Sequence, residues 1–157
     1  MEKQRMGLLN LLLKDPVAFT LIAIPLLYAI IFHELAHGWV AYRLGDSTAR
    51  SLGRLSLNPL KHLDPMGTLM LFIFGFGWAK PVPVNYRNLR HPRRDSALVA
   101  LAGPGANLIM ALLWALAILL GVALFQSTQW FAVPLILMGV AGVLFNAVLM
   151  ALNLLPI

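Results

Sequence analysis

From Pro16 to Val40 the chain is apolar, and apart from the weakly acidic phenol of Tyr28 its only ionisable side chains are His33, Glu34 and His37. A segment of that length crosses a bilayer as a helix. Ionisable groups inside such a helix cost several kcal/mol each unless they face a polar cavity or bind something. The fold must therefore enclose these three groups within protein. Two further apolar spans follow, one from about Ser96 to Phe125 and one from Trp130 to about Leu155. With 60% hydrophobic and 11% charged residues, the pattern predicts an all-α polytopic membrane protein of about three transmembrane helices.

His33 and His37 lie one helical turn apart, so both imidazoles project from one face and can bind a single metal ion. Glu34, beside the first of them, is placed to take a proton from a water on that ion. This is the division of labour of the H-E-x-x-H pattern in zinc hydrolases, where the ion lowers the pKa of its water to about 7 and the carboxylate completes the activation. Zinc is the expected metal. The plainer reading is a chance grouping on a surface helix, and the cost of uncompensated ionisable groups in an apolar helix argues against it. The chain has no cysteine, which excludes disulfides and thiolate metal sites. A net charge of +6 would suit nucleic acid. The bases, however, gather beside the hydrophobic spans, where they determine topology and contact anionic lipid, so a bilayer and not a nucleic acid is the expected partner.

Taken in order, Met1 to Asp15 sets Lys3, Arg5 and Lys14 around a leucine cluster and reads as an interfacial helix. Lys14 and Asp15 interrupt the apolar run and no small-residue cleavage site follows, which argues against a signal peptide. Pro16 suits the first turn of helix one, which is expected to run to Leu44, bend at Pro25 and stop at Gly45-Asp46. The connection over 45–95 carries Arg50, Arg54, Lys61, Lys80, Arg87, Arg90, Arg93 and Arg94, whereas the link Gln126 to Gln129 is uncharged. By the positive-inside rule the long connection is cytoplasmic, its eight bases outweighing the three at the N-terminus.

Within that connection, Arg54 to Leu57 alternates as a short strand would, and Asn58-Pro59 marks a turn. Met66 to Trp78 is too short to span as a helix and too apolar for water, and so reads as re-entrant or interfacial. Gly75 and Gly77 would let the backbone turn or closely approach another chain, and Lys80 to Asn85, with prolines at 81 and 83, is expected to be extended. Two readings stand side by side: a re-entrant segment with an open edge that captures a peptide, or a lipid-anchoring loop. His62 and Asp64 are either further metal ligands or ordinary loop polar residues, and His91 reads as surface charge. Gly103-Pro104-Gly105 is expected to break or kink the second span. Asn107 just beyond it must find a partner, either in a helix-packing hydrogen bond or by positioning a substrate carbonyl. In the third span Gly139, Asn146 and Asn153 form a seven-residue stripe expected to pack toward helix one.

The blocks FHELAHGWVAYRLGD (Phe32 to Asp46), GRLSLNPLKHLDPMGTL (Gly53 to Leu69), GWAKPVPVN (Gly77 to Asn85), AGPGAN (Ala102 to Asn107) and NLLPI (Asn153 to Ile157) resemble, in order and spacing, the compact prokaryotic members of the site-2 protease family of intramembrane zinc metallopeptidases. The resemblance covers nearly the whole chain. It implies an enzyme of the prokaryotic plasma membrane that cleaves transmembrane helices near the cytoplasmic side, with His33 and His37 as zinc ligands and Glu34 as catalytic base. It also implies that the Gly75-Phe76-Gly77 loop holds unwound substrate and that Asn107 and Asn153 line the site. In the family the final block leads into an aspartate that supplies a third ligand, and the sequence stops at Ile157 before it. The expectation is a fragment of a longer protein; Asp64 as a substitute ligand, or a degenerate site, are the alternatives. Residues 1–157 are thus expected to form a single membrane-embedded metalloprotease domain. The rivals are a catalytically inactive protein that binds helices or metal, and a metal transporter, which is weakened because the other two spans offer no ionisable residue to continue a pathway.

Overall fold

The computed structural model describes residues 8–155; Lys3 and Arg5 of the expected interfacial helix, and the last two residues of the NLLPI block, fall outside them. The architecture is helical: α1 (Leu8–Lys14), α2 (Pro16–Arg43), α3 (Thr48–Ser51), α4 (Pro65–Phe74), α5 (Pro92–Leu124) and α6 (Gln129–Leu154). Of these, α2, α5 and α6 are long and apolar enough to cross a membrane. Among the described residues there is no strand, only an isolated antiparallel bridge between Leu63 and Ala79. The strand expected over Arg54 to Leu57 does not form, because Arg54 instead donates to the carbonyls of Lys80 and Pro81 at 3.1 and 3.2 Å and Ser56 caps Asn58.

Local chemistry explains the helix ends. Asp15 accepts the Ala18 N–H at 2.9 Å and Pro16 occupies the first helical position of α2, where the missing N–H has no intrahelical partner in any case. Asp64 accepts the Gly67 N–H at 2.8 Å at the start of α4, and Gly75, at φ +78°, closes that helix in the left-handed region, where a side chain would be strained. The re-entrant stretch is therefore a helical descent with an extended return. Phe72 of α4 stacks on Phe19 of α2 with ring centroids 6.0 Å apart. The chain turns at the exposed Phe74-Gly75-Phe76 tip and comes back past α4, so closely that a Cβ on Gly77 would meet the Leu71 side chain at 2.8 Å. Lys80 N–H then bonds the His62 carbonyl at 2.8 Å.

The three long helices pack through small residues, as membrane helices do when apolar contact with lipid gives no net drive. A Cβ on Gly139 would come within 2.5 Å of Ile118, one on Gly121 within 2.6 Å of Ile136, and Gly142 receives the Trp114 ring. The stripe of α6 thus faces α5 at Gly139 and Asn146, where the short 125–128 link makes α5 the nearest neighbour, and turns toward α2, as its spacing suggested, at Asn153, which fronts the same cavities as Glu34. On the outer face Leu112, Leu116 and Leu119 are 59%, 60% and 65% exposed, a surface suited to lipid. The helix of α5 continues unbroken through Gly103-Pro104-Gly105, contrary to a break there. Pro104 is buried within that helix, where neighbouring helices tolerate it.

Candidate active site

His33 and His37 sit on the face of α2 that meets α5. Each ring has one nitrogen tied to an oxygen acceptor: His33 Nδ1 lies 2.5 Å from Asn107 Oδ1, and His37 Nδ1 lies 2.7 Å from the Val99 carbonyl. A carbonyl oxygen cannot donate, so His37 Nδ1 carries a hydrogen, and in the neutral ring its Nε2 is a lone pair. The two Nε2 atoms converge at 3.0 Å. Two lone pairs facing each other at that distance repel unless a proton is shared between them or a metal ion sits beside them. Nitrogens bound about 2.0–2.1 Å from one tetrahedral ion stand roughly 3.3 Å apart, so a small relaxation of the pair accepts a metal. Ligating histidines characteristically donate their other ring N–H to a fixed oxygen, as both do here. Two imidazole nitrogens are donors suited to zinc, and they make up two of the three protein ligands a catalytic site ordinarily has.

Gly103 makes this convergence possible. A Cβ there would lie 2.7 Å from His33 Nε2 and would also overlap His37 Nε2. The glycine is thus where α5 leaves room for the pair and for whatever it holds. Its place in the Gly-Pro-Gly triplet suggested a kink; the need is for space.

Glu34 is half-buried and turns the other way, its Oε2 accepting the Val82 N–H at 2.9 Å. The extended return that carries Val82 is pinned from below by Asp46. This carboxylate is 1% exposed and accepts from Thr48 N at 3.1 Å, Thr48 Oγ1 at 2.5 Å, Asn85 N at 2.8 Å and Asn88 Nδ2 at 2.9 Å. Burial alone would raise its pKa, but the hydrogen bonds from Thr48, Asn88 and the Asn85 backbone outweigh it and hold the carboxyl below its ordinary value. Gly38 keeps α2 open to the same strap: a Cβ there would meet Val82 and Leu55 at 2.6 and 2.7 Å.

Two cavities meet at Glu34. The larger, about 670 Å³, runs between α2 and the α4 hairpin and includes Phe19, His33, Glu34, Thr68, Gly77 and Asn153 in its wall. The second, about 470 Å³, is lined by Glu34, His37, Val82, Tyr86, Ala100 and Asn153. Glu34 and Asn153 therefore front both spaces, with His33 and His62 on the side of the larger and His37 on the side of the second.

The other expected site residues are distributed unevenly. Gly77 lines the larger cavity, whereas Gly75 and Phe76 lie at the exposed tip of the hairpin. Asn107 is fully buried and bonded to His33, Ala29 O and Asn146, so its amide faces the His33 ring and lines neither cavity. Asp64 caps α4 and is not brought to the histidine pair. His62, expected as a solvated loop residue if not a ligand, is 1% exposed; one ring nitrogen meets the Ser56 carbonyl at 2.7 Å. Among the described residues no group of three His, Asp or Glu side chains is gathered to hold a metal. Val82 and Val99 were not foreseen, and Asp46 and Gly103 were expected only as a helix stop and a kink. Val82 and Val99 act through backbone atoms, which leave no mark on residue type.

Residues 21–138 match Peptidase family M50. The chain is similar to YwhC of Bacillus subtilis, 43% identical over 137 residues that make up 87% of this chain and 63% of that protein. It is also similar to Rip2 of Mycolicibacterium smegmatis, 35% identical over 147 residues, and to Rip2 of Mycobacterium tuberculosis, 34% identical over 149; each alignment covers 88% of this chain and 53% of that protein. All three relatives bear names that mark them as candidate zinc metalloproteases. The chain thus spans between about half and somewhat under two thirds of the length of these curated relatives. No solved structure matches it.

Proposed function

The chain belongs to peptidase family M50, and on that premise we propose that it is the core of an intramembrane zinc metalloprotease that hydrolyses peptide bonds of transmembrane helices near the cytoplasmic side of a prokaryotic plasma membrane. The observation that carries this reading is the convergence of two imidazole lone pairs beside a carboxylate that opens onto two cavities.

His33 Nε2 and His37 Nε2 would hold the zinc, which when bound would supply Lewis acidity toward the attacking water and the peptide carbonyl. Glu34 Oε1, the oxygen not engaged by Val82, takes a proton from the attacking water and returns it to the leaving amine. The Val82 N–H fixes the other oxygen and so sets the direction of the free one. Asn153, with its amide nitrogen donated to the Leu149 carbonyl at 2.8 Å, turns its remaining polar edge toward the substrate backbone. Peptide bonds in a helix are shielded by their own hydrogen bonds, so the substrate unwinds locally in the larger cavity, against the Gly77 leg of the hairpin. The basic 45–95 connection lies on the cytoplasmic side.

The test is cleavage of a model transmembrane substrate by the purified full-length protein in liposomes. Cleavage that stops on chelation and returns with zinc is expected, and Glu34→Gln should lower the rate by about 10²–10⁴-fold while zinc content holds. Metal-dependent capture of the helix without product would instead identify a binding protein, and metal flux without product a transporter.

A further inference from the structure

We propose that Asn146, in the middle of α6 and outside both cavities, is a positioning residue that sets which nitrogen of His33 is free to bind metal, acting through Asn107. The inference rests on the zinc reading above for its consequence, but its premise is a chain of hydrogen bonds that runs one way only.

Asn146 and Asn107 are both 0% exposed and His33 is 5% exposed, so the three groups have no water to exchange partners with. Asn146 Nδ2 lies 2.8 Å from the Gly142 carbonyl, which can only accept; the amide nitrogen must therefore face Gly142, and Asn146 Oδ1 must face α5. That oxygen lies 2.8 Å from Asn107 Nδ2. The second hydrogen of the same nitrogen points to the Ala29 carbonyl at 3.3 Å. Both contacts require Asn107 to present Oδ1 to His33 Nδ1, and an oxygen acceptor there requires Nδ1 to carry the hydrogen. In a neutral imidazole the lone pair is then on Nε2, the atom that meets His37.

If Asn146 is replaced by a group that cannot accept, the Asn107 amide is held only by Ala29, the longer of its two locks. Turning it over would set NH₂ against Nδ1, move the imidazole hydrogen to Nε2, and point an N–H at the space where the metal belongs. Nothing about helix packing alone would produce that exchange. A neutral aspartic acid at 146 reproduces the pattern, its O–H donating to Gly142 and its C=O accepting from Asn107. Burial in an apolar bundle raises a carboxyl's pKa and so favours that neutral form.

The experiment uses metal-free full-length protein labelled with ¹⁵N at histidine, with His33 assigned by His33→Gln. Its long-range ¹H–¹⁵N spectrum distinguishes the two neutral ring forms, and zinc affinity is measured on the same samples by chelator competition. In the unsubstituted protein His33 should carry its hydrogen on Nδ1. Asn146→Leu should move a substantial fraction to Nε2 and weaken zinc by about 10–100-fold, and Asn146→Asp should restore both. Asn146→Ser, too short to reach Asn107, serves if the leucine variant does not fold. A His33 that carries its hydrogen on Nε2 in the unsubstituted protein overturns the proposal. So does a folded Asn146→Leu or Asn146→Ser protein with Nδ1–H intact and zinc affinity changed by less than about twofold. The Nδ1–H form without stoichiometric zinc would sink the metalloprotease reading and leave this one standing.

Discussion

The histidine pair and Glu34 are neighbours in sequence yet are held by opposite means. The imidazoles are oriented from within the bundle, by a buried amide of α5 and a backbone carbonyl of the same helix. Glu34 is oriented from outside the bundle, by one N–H of an extended strap that returns from a mostly exposed hairpin. In an apolar interior an unmade hydrogen bond costs about 1–3 kcal/mol, so the first arrangement has few alternatives. The second depends on how well the strap is tied down, by Asp46 at one end and Arg54 at the other. The molecule thus separates a stiffly held imidazole pair from a carboxylate whose strap has fewer ties; on the proposed function these would be a rigid metal half and a base half able to yield as a peptide enters beside it.

That contrast can be broken at several points. The largest effect is expected from Gly103→Ala: its methyl enters the space between the imidazoles, and zinc content should fall to background with all cleavage, as read by elemental analysis. If Gly103→Ala keeps full zinc, the bundle is not the rigid mould described here. Asn107→Leu should follow, weakening zinc by about 10–100-fold through loss of the His33 partner, whereas Asn107→Asp, which keeps the acceptor for His33 but loses the donor toward Ala29 and Asn146, should weaken it less. Val82→Pro probes the other half. Proline neighbours at 81 and 83 show that this stretch already accepts extended backbone, and loss of the single N–H should lower kcat by about tenfold with zinc affinity unchanged; a change in metal binding would show that the halves are coupled.

The smallest effect belongs to the strap's anchor. Asp46→Asn should destabilise the fold by about 1–3 kcal/mol, since a neutral amide accepts the four donors less well. Because hydrogen bonding holds the folded pKa of Asp46 below its unfolded value, its contribution is complete above the ordinary carboxylate range. It fades as pH falls through that range toward the folded pKa. Thermal unfolding of the Asp46→Asn protein should accordingly lose less than the unsubstituted chain on acidification. Parallel curves would remove Asp46 as the anchor.

Much of this was legible in residue order because burying charge in lipid is so costly: three apolar spans and one His-Glu-His cluster leave little choice of fold. The start of α2 was legible too, from Pro16 at the first helical position; the same signal at Asp64-Pro65, a capping acceptor followed by proline, goes unused when Asp64 is weighed as a ligand. Alternation over Arg54 to Leu57 misled because four residues with no strand beside them gain nothing from pleating. His62 misled because loop position says little about burial when a hairpin folds over it. Gly103 was noticed for the wrong reason, backbone freedom being the common use of glycine and room for another side chain the rarer one. Which neighbour the α6 stripe would meet depended on the hairpin geometry of α5 and α6, and spacing carries the face without naming its partner.

The slot between Phe19 and Glu34 follows α2 for fifteen residues, roughly 22 Å at helical rise. An uncoiled peptide covers that distance in about six or seven residues. With an apolar lining along most of its length and the Glu34 carboxylate at one end, such a slot would, on the proposed function, work as a yardstick. It would read how far a strand has been drawn in more readily than which side chains it bears, so the scissile position would track the depth of insertion.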